Sequence, residues 1–274
     1  MMVEEYTKYW HPKMGKGIIL WGPEAKTITF VPLLGRRGMK VDLKMIRSLV
    51  IRLILTMFLL SVAWVLVYRW LPPPATLHMI TRRADAGKAN KPHKTIRYQY
   101  VSLEDVSAQV PLAVIAAEDQ LFMTHNGFDF KAIKGAFETN LESTRLAGGS
   151  TISQQVAKNV FLWHGRSYLR KAVEAYFTFL IEVLWGKSRI MEVYLNIAEM
   201  GDQVFGIEAA ARHYFGKPAA GLSARQAALI AAVLPNPVKY SVQHPSSYVL
   251  NKRRWIEKNM RQLGGTAHVK ALSH

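Results

Sequence analysis

The segment EDQLFMTHNGFDF, residues 118–130, sets two adjacent carboxylates among three phenylalanines. A core helix has no use for Glu118 and Asp119 beside Leu121 and Phe122. A surface loop has no use for the phenylalanines. The combination predicts a cleft wall, where a few polar groups stand on an apolar lining. Glu118 follows the apolar run LAVIAA, residues 112–117, which can desolvate it. Desolvation raises a carboxyl pKa towards the operating pH and suits a general acid or base. Read alone, the stretch fits a pair of helix-surface acids equally well.

Around this segment lies a chain of 274 residues, enough for one large domain with appendages. Half of it is hydrophobic, so a real core is possible. Lys and Arg number 36 against 19 acids, a formal charge of +17. Such an excess predicts an anionic partner, whether nucleic acid, a membrane surface or a phosphate-bearing substrate. There is no cysteine, which excludes disulfides and thiolate metal sites.

From Leu53 to Tyr68 no residue is charged, and Arg52 and Arg69 bound the run. Leu49 to Tyr68 supplies the roughly 20 residues that a bilayer requires. A transmembrane helix is therefore expected over residues 49–70, with Arg52 snorkelling and Tyr68 and Trp70 in the interfacial belt. A buried core helix would not be apolar on all faces. A cleaved signal peptide would not be followed by Arg-Trp-Leu-Pro-Pro-Pro. Arg36, Arg37, Lys40, Lys44, Arg47 and Arg52 precede the span, against Arg69, Arg82 and Arg83 after it. That bias predicts a cytoplasmic tail over residues 1–48 and a main domain outside the cytoplasm. Residues 1–38 read as irregular, with room for a short apolar strand or hairpin, and Met39 is a second plausible start. Pro72–Pro74 make a stiff exit into a polar, basic linker over residues 71–100.

A compact domain is expected over residues 101–274. Ser102–Asp105 carries a capping signature, and Pro111 suits a first helical turn. Residues 130–141, 150–163, 168–185, 187–200, 206–215 and 223–234 then place apolar residues at steps of three and four. The fold is expected to be mainly α, with strand signals nearly absent.

Three further stretches carry chemistry. In RLAGGSTISQQVAKN, residues 145–159, Gly148 and Gly149 allow a bend and Ser150 or Thr151 can cap the next helix. Gln154, Gln155, Lys158 and Asn159 follow within two turns, after a helix start suited to anions. An ordinary capped helix is the plainer alternative. Arg170 and Lys171 share a helix face with Glu174. Alone they would be a surface salt bridge worth about 0.3–0.5 kcal/mol. KSRIMEVYLNIAEMG, residues 187–201, holds Lys187, Arg189, Glu192, Tyr194 and Asn196, by default a structural helix.

In this order the blocks Glu118–Gly127, Gly148–Asn159, Arg170–Glu174 and Lys187–Asn196 resemble the peptidoglycan glycosyltransferase family. Those enzymes polymerise lipid II into glycan strands. The family's blocks read Glu-Asp-x-x-Phe-x-x-His-x-Gly, Gly-Gly-Ser-Thr-Ile-Thr-Gln-Gln-x-x-Lys-Asn, Arg-Lys-x-x-Glu and Lys-x-x-Ile-x-x-x-Tyr-Leu-Asn. Ser153 stands where the family has Thr, and it keeps the hydroxyl. The resemblance implies a lysozyme-like helical glycosyltransferase domain with a small membrane-proximal jaw. It implies Glu118 as the base for a GlcNAc 4-hydroxyl in an inverting transfer. Glu174 would assist at the pyrophosphate, directly or through a divalent cation such as Mg or Mn. Lys158, Arg166, Arg170 and Lys171 would neutralise that pyrophosphate. Asp119, Phe122, His125, Ser150, Thr151, Gln154, Gln155 and Asn159 would bind substrate. Phe122, Phe128, Phe130, Ile133 and Phe137 read equally as a lipid-facing jaw or as core.

The implied partners are lipid II, the growing chain on undecaprenyl pyrophosphate and the bacterial inner membrane, with the catalytic domain periplasmic. Cell wall synthesis or division proteins are candidate partners, and nucleic acid is not. Neither Ser-x-x-Lys nor Lys-Thr-Gly of the bifunctional relatives occurs, and YLNIAEMG resembles the monofunctional branch. Two rival readings are a lytic transglycosylase or lysozyme, which needs no cluster of phosphate-binding cations, and a non-catalytic membrane-anchored scaffold.

Overall fold

In a computed structural model of the chain, the described residues are 17–21, 27–32, 39–88, 95–132, 134–135, 149–163, 165 and 167–273. They divide into two compact units, residues 1–64 and 65–274. The first contains an antiparallel meander of β1 (Gly17–Trp21), β2 (Thr27–Pro32) and β3 (Met39–Asp42). Gly17 pairs with Pro32 and Trp21 with Ile28, while Thr27 pairs with Asp42 and Phe30 with Met39. Residues expected to be irregular thus include two strands. GIILW and TITFVP are rich in β-branched and aromatic residues, a strand bias that the surrounding glycines and prolines obscure.

Helix α1, Leu43–Trp70, starts six residues before the expected span. It is long and apolar enough to cross a membrane. Its side chains from Leu49 to Leu60 are exposed within the chain.

Its last turns belong to the second unit and are built into it. Val65 is buried, and its carbonyl accepts from Trp185 Nε1 at 2.8 Å. Arg189 donates to Tyr68 O at 2.9 Å and to Leu71 O at 2.7 Å. A guanidinium at a helix C-terminus satisfies orphan carbonyls and complements the dipole.

The second unit is mainly α, as the periodicity predicts. Its helices are α2 (Leu77–Lys88), α3 (Gln109–Glu118), α4 (Ile152–Phe161), α5 (Tyr168–Leu184), α6 (Lys187–Ile197), α7 (Ile207–Phe215), α8 (Ala224–Val233) and α9 (Ser247–Gln262). Three short strands, β4 (Arg97–Tyr98), β5 (Glu199–Gly201) and β6 (Val204–Phe205), form a sheet in the order β4-β6-β5. α3 runs through the core, and every residue from Val110 to Ala116 is buried. α8 and α9 pack on it, while α4 packs between α5 and α6. Each fully buried Val, Leu or Ile contributes about 1.5–3 kcal/mol. Reciprocal capping boxes, Thr151 with Gln154 and Ser223 with Gln226, start α4 and α8. Gly216 ends α7 at φ +64°.

The segment expected as a linker holds α2. Thr76 Oγ1 accepts from Met79 N at 3.2 Å, and both residues are buried. One turn on, Arg82 bonds Glu199 and Asp202, and His78 bonds Glu199. The acids that hold α2 lie more than a hundred residues downstream, so local sequence gives no sign of the docking. Of the jaw residues, Ile133 and Phe137 lie outside the described residues. Phe128 and Phe130 stack at 6.1 Å, and Phe130 is exposed. Phe122 is core.

Candidate active site

Asp119 ties the first two sequence blocks together. It leaves helical geometry as α3 ends, and its carboxylate is buried. His125 Nε2 donates to it at 2.9 Å, and so does Ile152 N, the first amide of α4, also at 2.9 Å. Gly127 N donates to His125 Nδ1 at 3.0 Å, so Nε2 carries the proton that Asp119 accepts. Thr151 Oγ1 in turn donates to Gly127 O at 2.7 Å. Gly127 has φ +88°, and a Cβ there would meet Thr178 Cγ2 at 2.8 Å. Behind this loop, Lys187 Nζ donates to His125 O and Glu182 Oε1 and lies 4.6 Å from the Phe122 ring centroid. The Ser153 hydroxyl donates to Glu182 Oε1 at 2.5 Å, so the hydroxyl retained at that position is used.

This bonding fixes Glu118 at the end of α3, half-buried. Gln155 Nε2 donates to Glu118 Oε2 at 3.0 Å. Tyr194 Oη donates to Gln155 Oε1 at 3.4 Å. Burial first, then the charges of Glu118 and Asp119, push the Tyr194 phenol well above its usual value and keep it a donor. The phenol thereby turns the amide N–H of Gln155 towards the carboxylate.

On the Gln155 side opens a cavity of about 670 Å³, lined among others by His78, Arg82, Lys158, Asn159, Arg170 and Tyr194. Partial burial holds the Lys158 ammonium below its usual pKa. Glu174 opposes that shift, and Arg170 and Lys171 add to it. Arg170 Nη1 donates to Glu174 at 3.0 Å and Lys171 Nζ at 2.5 Å. Arg170 Nε is buried without a partner. Arg170 lines the cavity, where its guanidinium adds a fixed cation suited to an anionic ligand. Across Glu118 lies a cavity of about 200 Å³, lined by Glu118, Asp119, Asp129, Ser150, Thr151 and Trp255, among others.

The expected site residues therefore separate by position. Glu118, Asp119, Ser150 and Thr151 line the smaller cavity, and Gln155, Lys158, Asn159 and Arg170 the larger. Lys171 is half-exposed beside Glu174. Arg166 lies outside the described residues. Phe122, His125 and Gln154 line neither cavity. Phe122 and Gln154 are buried, and the polar groups of His125 and Gln154 bond within the loop and the helix cap. Glu174, expected in catalysis, is also buried and lines neither cavity. Its two oxygens accept from Arg170 and Lys171. Among the described residues no cluster of three acids or histidines could hold a metal ion. A divalent cation at Glu174 would share its carboxylate with Arg170 and Lys171 and take its other donors from ligand oxygens.

Local reading missed His78, Arg82, Glu199 and Trp255. The first three meet only through the docking of α2. Trp255 gave one signal, an aromatic off the buried stripe of a charged helix, since Val249, Ile256 and Met260 carry the buried face of α9.

Comparison with known proteins agrees with this geometry. The family model described as Transglycosylase matches residues 86–261. The chain is 50% identical over 212 residues to the "Biosynthetic peptidoglycan transglycosylase" of Pseudomonas entomophila (strain L48), covering 77% of this chain and 89% of that protein. It is 47% identical over 211 residues to the protein of the same name from Xylella fastidiosa (strain M12), covering 77% and 87%. The same name is carried by a Pasteurella multocida (strain Pm70) protein, 50% identical over 212 residues, covering 77% and 85%. The helical domain and its cleft are those of a glycosyltransferase. The chain belongs to the transglycosylase family.

Proposed function

We propose that this chain is a membrane-anchored peptidoglycan glycosyltransferase that polymerises lipid II and releases undecaprenyl diphosphate. The observation that carries this reading is the position of Glu118 between a cationic cavity and an acidic one, with Gln155 reaching it from the cationic side. The larger cavity takes the diphosphate of the donor. Lys158 and Arg170 meet its charge from the cavity wall. The acceptor presents its sugar 4-hydroxyl at Glu118. The carboxylate takes the hydroxyl proton as the oxygen attacks C1 of the donor sugar. The C1–O bond to the diphosphate breaks, and its electron pair leaves with the diphosphate. Attack opposite the leaving group inverts C1. Charge develops on the leaving diphosphate, where fixed cations stabilise a transition state most.

A lytic enzyme on a similar fold has no diphosphate to meet, so the Lys158–Arg170 wall favours synthesis. α1 serves as the anchor, with the N-terminus cytoplasmic and the catalytic domain periplasmic. The test is purified protein with lipid II in detergent. Long glycan and free undecaprenyl diphosphate are expected. Soluble fragments released from preformed peptidoglycan, without polymer, would overturn the reading.

A further inference from the structure

We infer that Trp255 is a stacking platform for a pyranose ring of the acceptor saccharide, in the cavity that it shares with Glu118. The inference rests on the proposed function for the identity of the acceptor. It goes beyond it in assigning a role to α9, which none of the four sequence blocks includes.

The indole is 47% exposed on a helix whose buried face is carried by other residues. A lone exposed aromatic is ordinary. This one lines the same cavity as Glu118. The other polar side chains on its wall are Glu118, Asp119, Gln120, Asp129, Ser150 and Thr151, of which Asp119 and Thr151 are already bonded within the protein. Carboxylates and hydroxyls accept from sugar hydroxyls, and an indole face meets the C–H face of a pyranose. Among the described residues, no Lys or Arg lines this cavity, so it is unsuited to a diphosphate. The larger cavity has the opposite character, with Lys158, Arg82 and Arg170 in its wall. At about 200 Å³ the smaller cavity lies below the roughly 300–1,000 Å³ of drug-sized sites, which suits one ring. Lys252 Nζ stands 5.7 Å from the indole centroid and sets a single positive charge beside the platform. Trp255 keeps exposed surface for the sugar, and the packing of α9 on α3 and α8 fixes the helix that carries it.

The test has two arms on the full-length chain in detergent micelles. In the first, a lipid-free GlcNAc–MurNAc tetrasaccharide is titrated into protein labelled with ¹⁵N at tryptophan. The Trp255 indole resonance is assigned by its loss in Trp255→Phe. It should shift on titration, and a resonance that stays fixed at saturating sugar overturns the inference. In the second, Trp255→Ala should raise KM for lipid II about tenfold with kcat within about twofold, while Trp255→Tyr should restore KM. A purely structural Trp255 would instead lower the Tm and active fraction of Trp255→Ala and leave KM unchanged. Wild-type protein that makes no glycan from lipid II defeats the proposed function itself. Glycan synthesis with a silent Trp255 defeats only the platform.

Discussion

Gln155 holds Glu118 through a 3.0 Å bond from its amide nitrogen, and the amide is itself oriented by Tyr194. Gln155, which lines the larger cavity, thus links it to Glu118, which lines the smaller one.

Glu118→Gln should therefore lower polymerisation by at least about 100-fold, since an amide cannot take the hydroxyl proton. The change is isosteric and half-exposed, so Tm should stay within about 1 °C. Turnover on lipid II and a thermal melt check both. Near wild-type turnover would remove Glu118 from the role of base.

Lys158 should set an alkaline limit on activity. Its folded pKa lies below the usual lysine value, so folding disfavours its charged form. The resulting destabilisation is present below the folded pKa and is relieved as pH rises through it towards the unfolded value of about 10.4. Activity follows the opposite sign, because the cation is lost along that rise. The decline of kcat/KM should begin below about pH 10.4 in the wild type. It should move to higher pH in Lys158→Arg, which keeps its charge. A pH profile unchanged by that substitution would show that another group sets the limit.

Removal of the membrane helix should separate stability from chemistry. A fragment beginning at Thr76 lacks the Val65 carbonyl that receives Trp185 Nε1 and the two carbonyls that receive Arg189. A buried indole N–H left without an acceptor costs about 1–3 kcal/mol. The fragment should melt about 2–10 °C below one beginning at Val65. Both should polymerise detergent-solubilised lipid II, and both should weaken on vesicles at low enzyme concentration, where confinement to the bilayer raises encounter. A Thr76 fragment that is folded yet dead in detergent would make the end of α1 part of the substrate site.

Gly127→Ala should destabilise the domain by about 2–4 kcal/mol. The position has φ +88°, and the added methyl would press on Thr178 Cγ2 at 2.8 Å. Relief by movement of the loop would disturb the bonds from Gly127 to His125 and from Thr151 to Gly127. Chemical denaturation gives the change in stability. A loss under about 0.5 kcal/mol would mean that the turn adapts without strain.

Much of this site was legible because it is local. The Thr151–Gln154 capping box, the Arg170–Lys171–Glu174 face and the apolar run before Glu118 each lie within a few turns of helix, where spacing alone fixes who meets whom. The long-range partners were not legible. Asp119 reaches Ile152 N across 33 residues and Arg82 reaches Glu199 across 117. Nor does the sequence show that Glu174 is buried with a cation on each carboxylate oxygen. The meander of β1–β3 was hidden by the glycines and prolines around it, whereas α1 was plain from length and composition.

The charge-free part of α1, Leu53 to Tyr68, is about 24 Å long at 1.5 Å per residue. A typical hydrocarbon core is about 30 Å thick. The remaining few ångströms fall to the turns around Arg52, whose side chain must climb to the headgroups, or to a local thinning of the bilayer. Hydrophobic mismatch thus becomes a property of this chain. It fits a thin membrane with little tilt and meets a thick one with a growing penalty, so lipid chain length is a variable that acts on the chain through α1.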